Sequence, residues 1–233
     1  DPYLRVYKIG SGDITWLEII KYIAKKGKPV IIATGASDMK DVDRAMELLE
    51  QCTNDIVLMQ CNTNYTANPE NFKYINLNVL KVFKQRYPRV VLGLSDHTHG
   101  HAAVLGAIAL GATVIEKHFT DDNDRTGPDH KFAMNPITWR EMVDRSNELY
   151  FALGDGIKRV EKNEIQTSVV QRRSLRYRKD LKKGTVINKD DLIALRPVND
   201  GGFAPYEEVE IIGKTLNRDV LVDNPVLKID FII

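Results

Sequence analysis

Two short runs of this chain end in a histidine. One is Gly93-Leu94-Ser95-Asp96-His97-Thr98, and the other, about twenty residues later, is Val114-Ile115-Glu116-Lys117-His118-Phe119. Each reads as a short apolar strand with a polar end. In a parallel α/β sheet or barrel, the carboxyl ends of neighbouring strands open onto one cavity. Two imidazoles delivered there can bind one metal ion. They are too few for a closed structural zinc site, which takes four protein ligands, but they suit a site left open for water and substrate. Imidazole with oxygen ligands is compatible with manganese, zinc or iron. Spacing alone also allows two hydrogen-bonded structural histidines. Asp96 and Glu116 are candidates to orient the imidazoles, and Glu116 equally reads as a charge inside a barrel. His99 and His101 read as solvated or capping residues.

Lys8 and Ser11 fall at the end of an earlier strand, beside Gly10 and Gly12. A lysine inside a strand is costly to bury without an anion, so it either snorkels to the rim or meets a phosphate or carboxylate. Backbone amides of the glycine turn would add to such a contact. Thr34 and Ser95 stand at corresponding strand ends. Asp129 lies in a loop of about fifteen residues after the last strand, and loops this long in a compact domain are usually functional. A turn aspartate beside Gly127-Pro128 is the competing reading. The basic cluster Arg172 to Lys179 lacks the interleaved aromatics of a nucleic-acid surface and reads as a solvated or packing face. Arg196, before a glycine-rich loop, is free to reach a carboxylate or a sugar.

The elements that must hold these residues alternate. Strands are expected at Arg5–Ile9, Pro29–Ala33, Asp55–Cys61, Val90–Leu94 and Thr113–Glu116. Between them the 3.6-residue period places helices, one with the stripe Val42, Ala45, Met46 and Leu49 behind a cap at Ser37 or Asp38. Others are expected over Phe72–Arg86, around His101–Leu110, and from Asn135-Pro136 to Leu153, the last opened by proline at its first turn. Five βα units in series imply parallel strands with right-handed crossovers. Two architectures satisfy this, an open doubly wound sheet or part of a (β/α)8 barrel. Ile157–Thr167 reads as a charged connecting helix, and the remainder as a small, mostly β domain. The boundaries are 1–154, a linker 155–171, and 172–233.

With 33 basic and 32 acidic residues the net charge is +1, so nothing in bulk draws the chain to nucleic acid or anionic membrane. Its apolar runs are strand-sized, too short to span a bilayer. No signal peptide is visible, and two cysteines without a C-x-x-C spacing fit a reducing cytoplasm.

The chain resembles the sialic acid (N-acetylneuraminate) synthase family, which includes the pseudaminic and legionaminic acid synthases and spore-coat polysaccharide relatives. The resemblance rests on Tyr7-Lys8-Ile9-Gly10-Ser11-Gly12, Ile32-Ala33-Thr34-Gly35, Gly93 to Thr98, Ile115 to Thr120, and Gly127-Pro128-Asp129. The tail, from Arg172-Arg173-Ser174 through Arg196-Pro197 to Gly213-Lys214, resembles the family's antifreeze-like SAF domain, a β-clip fold. The resemblance implies the C-terminal part of a (β/α)8 TIM barrel that condenses phosphoenolpyruvate with an N-acetyl-hexosamine such as N-acetylmannosamine. The product would be a nine-carbon 2-keto sugar acid, with phosphate released. It implies a divalent metal, typically manganese, on His97 and His118, with Asp129 and Asp13 as further catalytic residues. Lys8, Ser11 and Ser95 would hold phosphoenolpyruvate. Thr34, Thr63, Tyr65 and Asp129 would complete the substrate pocket. Arg196 would reach the sugar from the partner subunit of a domain-swapped homodimer. Asp13 replaces a usual glutamate, Ala33 a serine, and Thr63 an asparagine, while Tyr65-Thr66 replaces Tyr-Pro, so the acceptor sugar is open. The family also carries about three further βα units upstream, which the eight-fold barrel requires. Five strands alone leave open edges, so these 233 residues in isolation are expected to be unstable or to aggregate. The rivals are a phosphoenolpyruvate-using barrel with another acceptor, and a non-catalytic sugar-binding or partner subunit.

Overall fold

The five apolar runs form five strands, all parallel, in the order in which they occur along the chain. They are β1 (Tyr7–Ile9), β2 (Val30–Ala33), β3 (Ile56–Cys61), β4 (Val91–Asp96) and β5 (Val114–Lys117). The computed structural model describes residues 2–66 and 68–231, in two compact units, Asp1–Gly156 and Ile157–Ile233. Between the strands run α1 (Leu17–Ala24), α2 (Met39–Glu50), α3 (Val79–Arg86) and α4 (Ala102–Ala109), and α5 (Pro136–Leu153) follows β5. Asp38 caps α2 by accepting from the Lys40 and Asp41 amides, and Asn135 caps α5 from the residue before Pro136. One strand face supplies Ile9, Val30, Ile32, Leu58, Leu92 and Leu94 to the core beneath the helices.

The two architectures left open by the pattern are separated by one contact. Lys8 on β1 and Glu116 on β5 form an ion pair at 2.8 Å. In a flat sheet these strands, four spacings apart, would be about 19 Å distant, beyond the joint reach of the two side chains. The sheet is therefore curled, as in a barrel wall, with β1 and β5 at its two edges.

The helix expected over Phe72–Arg86 is two elements. A 3₁₀ segment, Pro69–Tyr74, stops at Asn76, whose φ of 48° is left-handed, before α3 starts at Val79. The carbonyls freed at the break are used: Gln60 Nε2 donates to Ile75 O and Asn62 Nδ2 to Tyr74 O. The connecting helix also starts later than expected. A 3₁₀ turn at Lys162–Glu164, where Glu164 accepts from the Glu161 amide, leads into α6 (Ile165–Gln171).

The second unit pairs β6 (Ser174–Tyr177) antiparallel with β7 (Leu192–Leu195), and a short helix, α7 (Glu208–Ile211), follows. Its core gathers Leu175, Tyr177, Ile187, Phe203, Leu216, Val226 and Phe231. A buried carboxylate holds this core in register. Asp230 accepts from the Tyr177 hydroxyl (3.0 Å), Arg218 Nε (2.7 Å) and the Leu227 amide (2.7 Å). Burial, then the Asp230 charge, push the Tyr177 hydroxyl well above its usual range, so it stays a donor. Asp230→Ala strands these three donors and is expected to destabilise the unit by about 3 kcal/mol. An unchanged urea midpoint for this unit's transition would contradict the assignment.

Candidate active site

Strand side chains alternate between faces, and the register sorts the polar residues by face. Lys8, Ile31, Val57 and Val91 align across β1–β4, and Ser95 aligns with Glu116 across β4–β5. Ala33, Met59 and Cys61 form a small apolar floor on this inner face. Gly93 belongs to it because there is no room for more: a Cβ there would lie 2.8 Å from Val114 O and 2.9 Å from Met59 Cγ.

His97 follows the last residue of β4 and His118 the last residue of β5. Their ring centroids are 5.1 Å apart. His97 is buried, and its Nδ1 lies 2.8 Å from Asn62 O. A carbonyl can only accept, so Nδ1 carries the proton and Nε2 keeps its lone pair. His118 Nδ1 faces Asp129 Oδ2 at 3.4 Å. Tyr65 packs against both rings, at 4.2 and 5.6 Å, and Phe132 stands 5.0 Å from His118. Phe132 arrives because residues near Met134 run beside β5's extension: Met134 N donates to His118 O and Thr120 N to Met134 O. Asn123 fastens the same loop, donating to His130 O and Ala133 O.

Burial chiefly, and then the neighbouring His118, push the His97 pKa below its ordinary value, against the opposing pull of the Asn62 carbonyl. The folded form therefore resists protonation more than the unfolded chain does. Stability should be lost as pH falls through about 6.5, the unfolded value, and should level off below the depressed folded value. His97→Gln is expected to flatten this loss between pH 7.5 and 5.5 in thermal melts. An identical slope would contradict it.

Among the described residues no set of three or more His, Cys, Asp and Glu converges as metal ligands. The imidazole pair, each ring facing a partner at Nδ1, supplies a donor set that an open divalent-ion site would use, with water or substrate completing the shell.

Other expected residues lie as follows. Ser11 is buried, and its Oγ accepts from the Gly35 amide at 2.9 Å, which leaves its proton for an incoming anion. Thr63 crowds the same spot, since a Cβ on Gly35 would lie 2.5 Å from Thr63 Cγ2. Ser95 is buried on the inner face and Asp13 is exposed in the 3₁₀ turn Ser11–Asp13. Thr34 is a correction. Its alternation from Ala33 turns it to the helix side, where its hydroxyl donates to Met59 O at 2.9 Å. Asp96 makes no hydrogen bond to the His97 ring among the described residues: its side chain binds Lys117, and the Asn62 carbonyl meets the imidazole directly. Glu116 serves Lys8 as the charge inside the curled sheet. His101 precedes α4 but makes no side-chain capping bond.

In the second unit Arg196 is exposed and donates through Nε to Gln171 O at 2.7 Å. Three members of the basic cluster bind within their own unit. Arg173 donates to Ala194 O, Arg176 to Asp223 O and Asn199 Oδ1, and Lys179 pairs with Asp191.

Three residues of the site had weak sequence signals. Asn62 acts through its backbone, Phe132 through a loop with no period, and Lys117 through its pairing with Asp96.

Comparison with known proteins shows the family of the chain. An N,N'-diacetyllegionaminic acid synthase of Campylobacter jejuni is 37% identical over 226 residues, covering 94% of this chain and 66% of that protein. The crystal structure of the spore coat polysaccharide biosynthesis protein SpsE from Bacillus subtilis matches with a TM-score of 0.60 at 29% identity, over 98% of this chain and 68% of that one. A putative spore coat polysaccharide biosynthesis protein E from Chromobacterium violaceum shares the fold, with a TM-score of 0.72 at 24% identity, over 99% of this chain and 68% of that one. This chain spans 66% and 60% of the two legionaminic acid synthases it matches, the second from Legionella pneumophila. The NeuB family profile matches residues 1–158 and the SAF domain profile residues 172–232, so the chain belongs to the NeuB family and carries a SAF domain.

Proposed function

We propose that this chain is the C-terminal part of a (β/α)8 synthase that joins phosphoenolpyruvate to an N-acetyl-hexosamine, giving a nine-carbon 2-keto sugar acid and phosphate. The observation that carries the reading is the inner-face group at the carboxyl ends of one curled parallel sheet. Lys8 and Glu116 are ion-paired there, and two imidazoles stand 5.1 Å apart. The legionaminic and pseudaminic acid synthases among its relatives support the same class of chemistry.

In this reading the Lys8 ammonium, the hydroxyls of Ser11 and Ser95, and the Gly10–Gly12 turn take the carboxylate and phosphate of phosphoenolpyruvate. Carbon 3 of phosphoenolpyruvate bonds to the aldehyde carbon of the sugar, whose oxygen takes up a proton. Water adds at carbon 2 and phosphate leaves. His97 and His118 would hold a divalent ion, proposed as manganese, which when bound would supply Lewis-acid polarisation of the aldehyde oxygen. Asp129 and the Tyr65 hydroxyl are assigned to sugar hydroxyls, and Asp129 also to proton transfer. Glu116 balances Lys8 before substrate arrives. Asp13 and Thr63 border the acceptor side, and Arg196 is assigned to the sugar from a second copy in a domain-swapped dimer. The enzyme is assigned to the cytoplasm. Among the described residues no helix is long and apolar enough to cross a membrane.

Asp13 and Thr63, which depart from the family's usual residues, leave the choice of acceptor sugar open. Incubation of the chain, joined to the family's upstream βα units, with phosphoenolpyruvate, manganese and a panel of N-acetyl-hexosamines, read by product mass, tests the assignment. One acceptor should yield a product heavier by the three-carbon 2-keto acid unit. A folded, metal-loaded enzyme that extends none of them would shift the reading to another acceptor class or to a binding module.

A further inference from the structure

Directly behind the two histidines, on the helix side of the sheet, lies a buried ion pair that the chemistry above does not use. Asp96 and Lys117 are register partners at the last rung of the β4–β5 ladder, and each immediately precedes one of the histidines. Their side chains are 0% and 1% exposed, and Lys117 Nζ lies 2.7 Å from Asp96 Oδ2. Lys117 Nζ also donates to Thr98 O at 2.6 Å. Asp96 Oδ1 accepts from the Thr98 amide (3.0 Å) and the Thr98 hydroxyl (2.8 Å). The peptide on either side of His97 is therefore tied to the residue before His118. Both histidines lie one residue past the last rung of the β4–β5 ladder, and the His118 carbonyl is held there from the other side by Met134 N.

A buried ion pair adds little net stability, because desolvation offsets its attraction, and an uncharged pair of similar size often does as well. What these interactions supply is position. Ligand atoms must meet a metal ion to within about 0.2 Å, and outer partners that hold ligands commonly contribute 10–100-fold in affinity.

We propose that Asp96, Lys117 and Thr98 are positioning residues, a clamp that sets the spacing of His97 and His118 and thereby the affinity of the site for a divalent cation. The proposal rests on the metal reading above, and its test separates the two. Cobalt(II) alone serves as the probe, titrated by calorimetry and followed by its visible absorption. The double variant Asp96→Asn/Lys117→Met removes both charges together and leaves no unpaired ion. It is expected to melt close to the parent protein yet bind cobalt about 10–100-fold more weakly. Thr98→Val provides a milder second variant, expected at about 2–10-fold.

Binding by the parent that His97→Ala abolishes establishes the metal site. Given that, parental affinity in both clamp variants overturns the clamp. Failure of the parent to bind cobalt sinks the metal reading instead. The clamp is then decided by nuclear Overhauser cross-peaks between the His97 and His118 ring protons in metal-free protein. Cross-peaks of parental intensity in the folded double variant overturn it, and their disappearance sustains it.

Discussion

His97→Ala is expected to lower phosphate release from phosphoenolpyruvate by about 10²–10⁴-fold while leaving the barrel units folded. The magnitude follows from the several kcal/mol that a Lewis-acid ion contributes to such a step, at 1.36 kcal/mol per factor of ten. One imidazole cannot hold the ion in place of two, and no third His, Cys, Asp or Glu among the described residues converges to replace it. The ring is buried but makes one hydrogen bond, to the Asn62 carbonyl. Its removal should therefore shift the melting temperature only by a few degrees. Coincident loss of cobalt binding and turnover would tie the two together. Parental turnover in the alanine variant would remove the metal role from this histidine.

Lys117→Ala is expected to be the most damaging single change to stability, costing about 3–5 kcal/mol. Removing the ammonium leaves the Asp96 carboxylate fully buried with only the Thr98 donors. A loss of that size is a large share of the 5–15 kcal/mol typical of a folded domain. Adding Asp96→Asn should recover most of it, since the residue left behind is then uncharged. A double-mutant cycle in urea measures the coupling. A Lys117→Ala midpoint equal to the parental one would show that the buried pair is absent in solution.

The strand pattern made most of the barrel segment legible. The apolar runs expected to end at Ala33, Cys61, Leu94 and Glu116 become β2 to β5, the last two running on to Asp96 and Lys117, because buried parallel strands are continuous hydrophobic stretches. The curl of the sheet was not legible from pattern, because it shows only where Lys8 meets Glu116 across four strand spacings. The histidine pair was legible from its two matching strand ends. Its supports were less so. The Asn62 carbonyl has no residue-type signature, and Phe132 reaches His118 through a bridge between Phe119 and Met134 that no local pattern announces. Thr34 and Asp96 belong to the helix side rather than the inner face, and the two-residue alternation from Ala33 and His97 already places both there. The break at Asn76 is hidden in the sequence because the apolar spacing runs on through it, while the backbone turns left-handed there.

The most direct test of the account is phosphate release from phosphoenolpyruvate by the chain joined to the family's upstream βα units, with manganese and each N-acetyl-hexosamine in turn, with and without a chelator. The account predicts release that depends on one acceptor, stops with chelator, and returns when manganese is restored. Acceptor-dependent release that persists undiminished in chelator would contradict the metal assignment of His97 and His118. No release with any acceptor, from folded protein shown to bind the ion, would contradict the synthase.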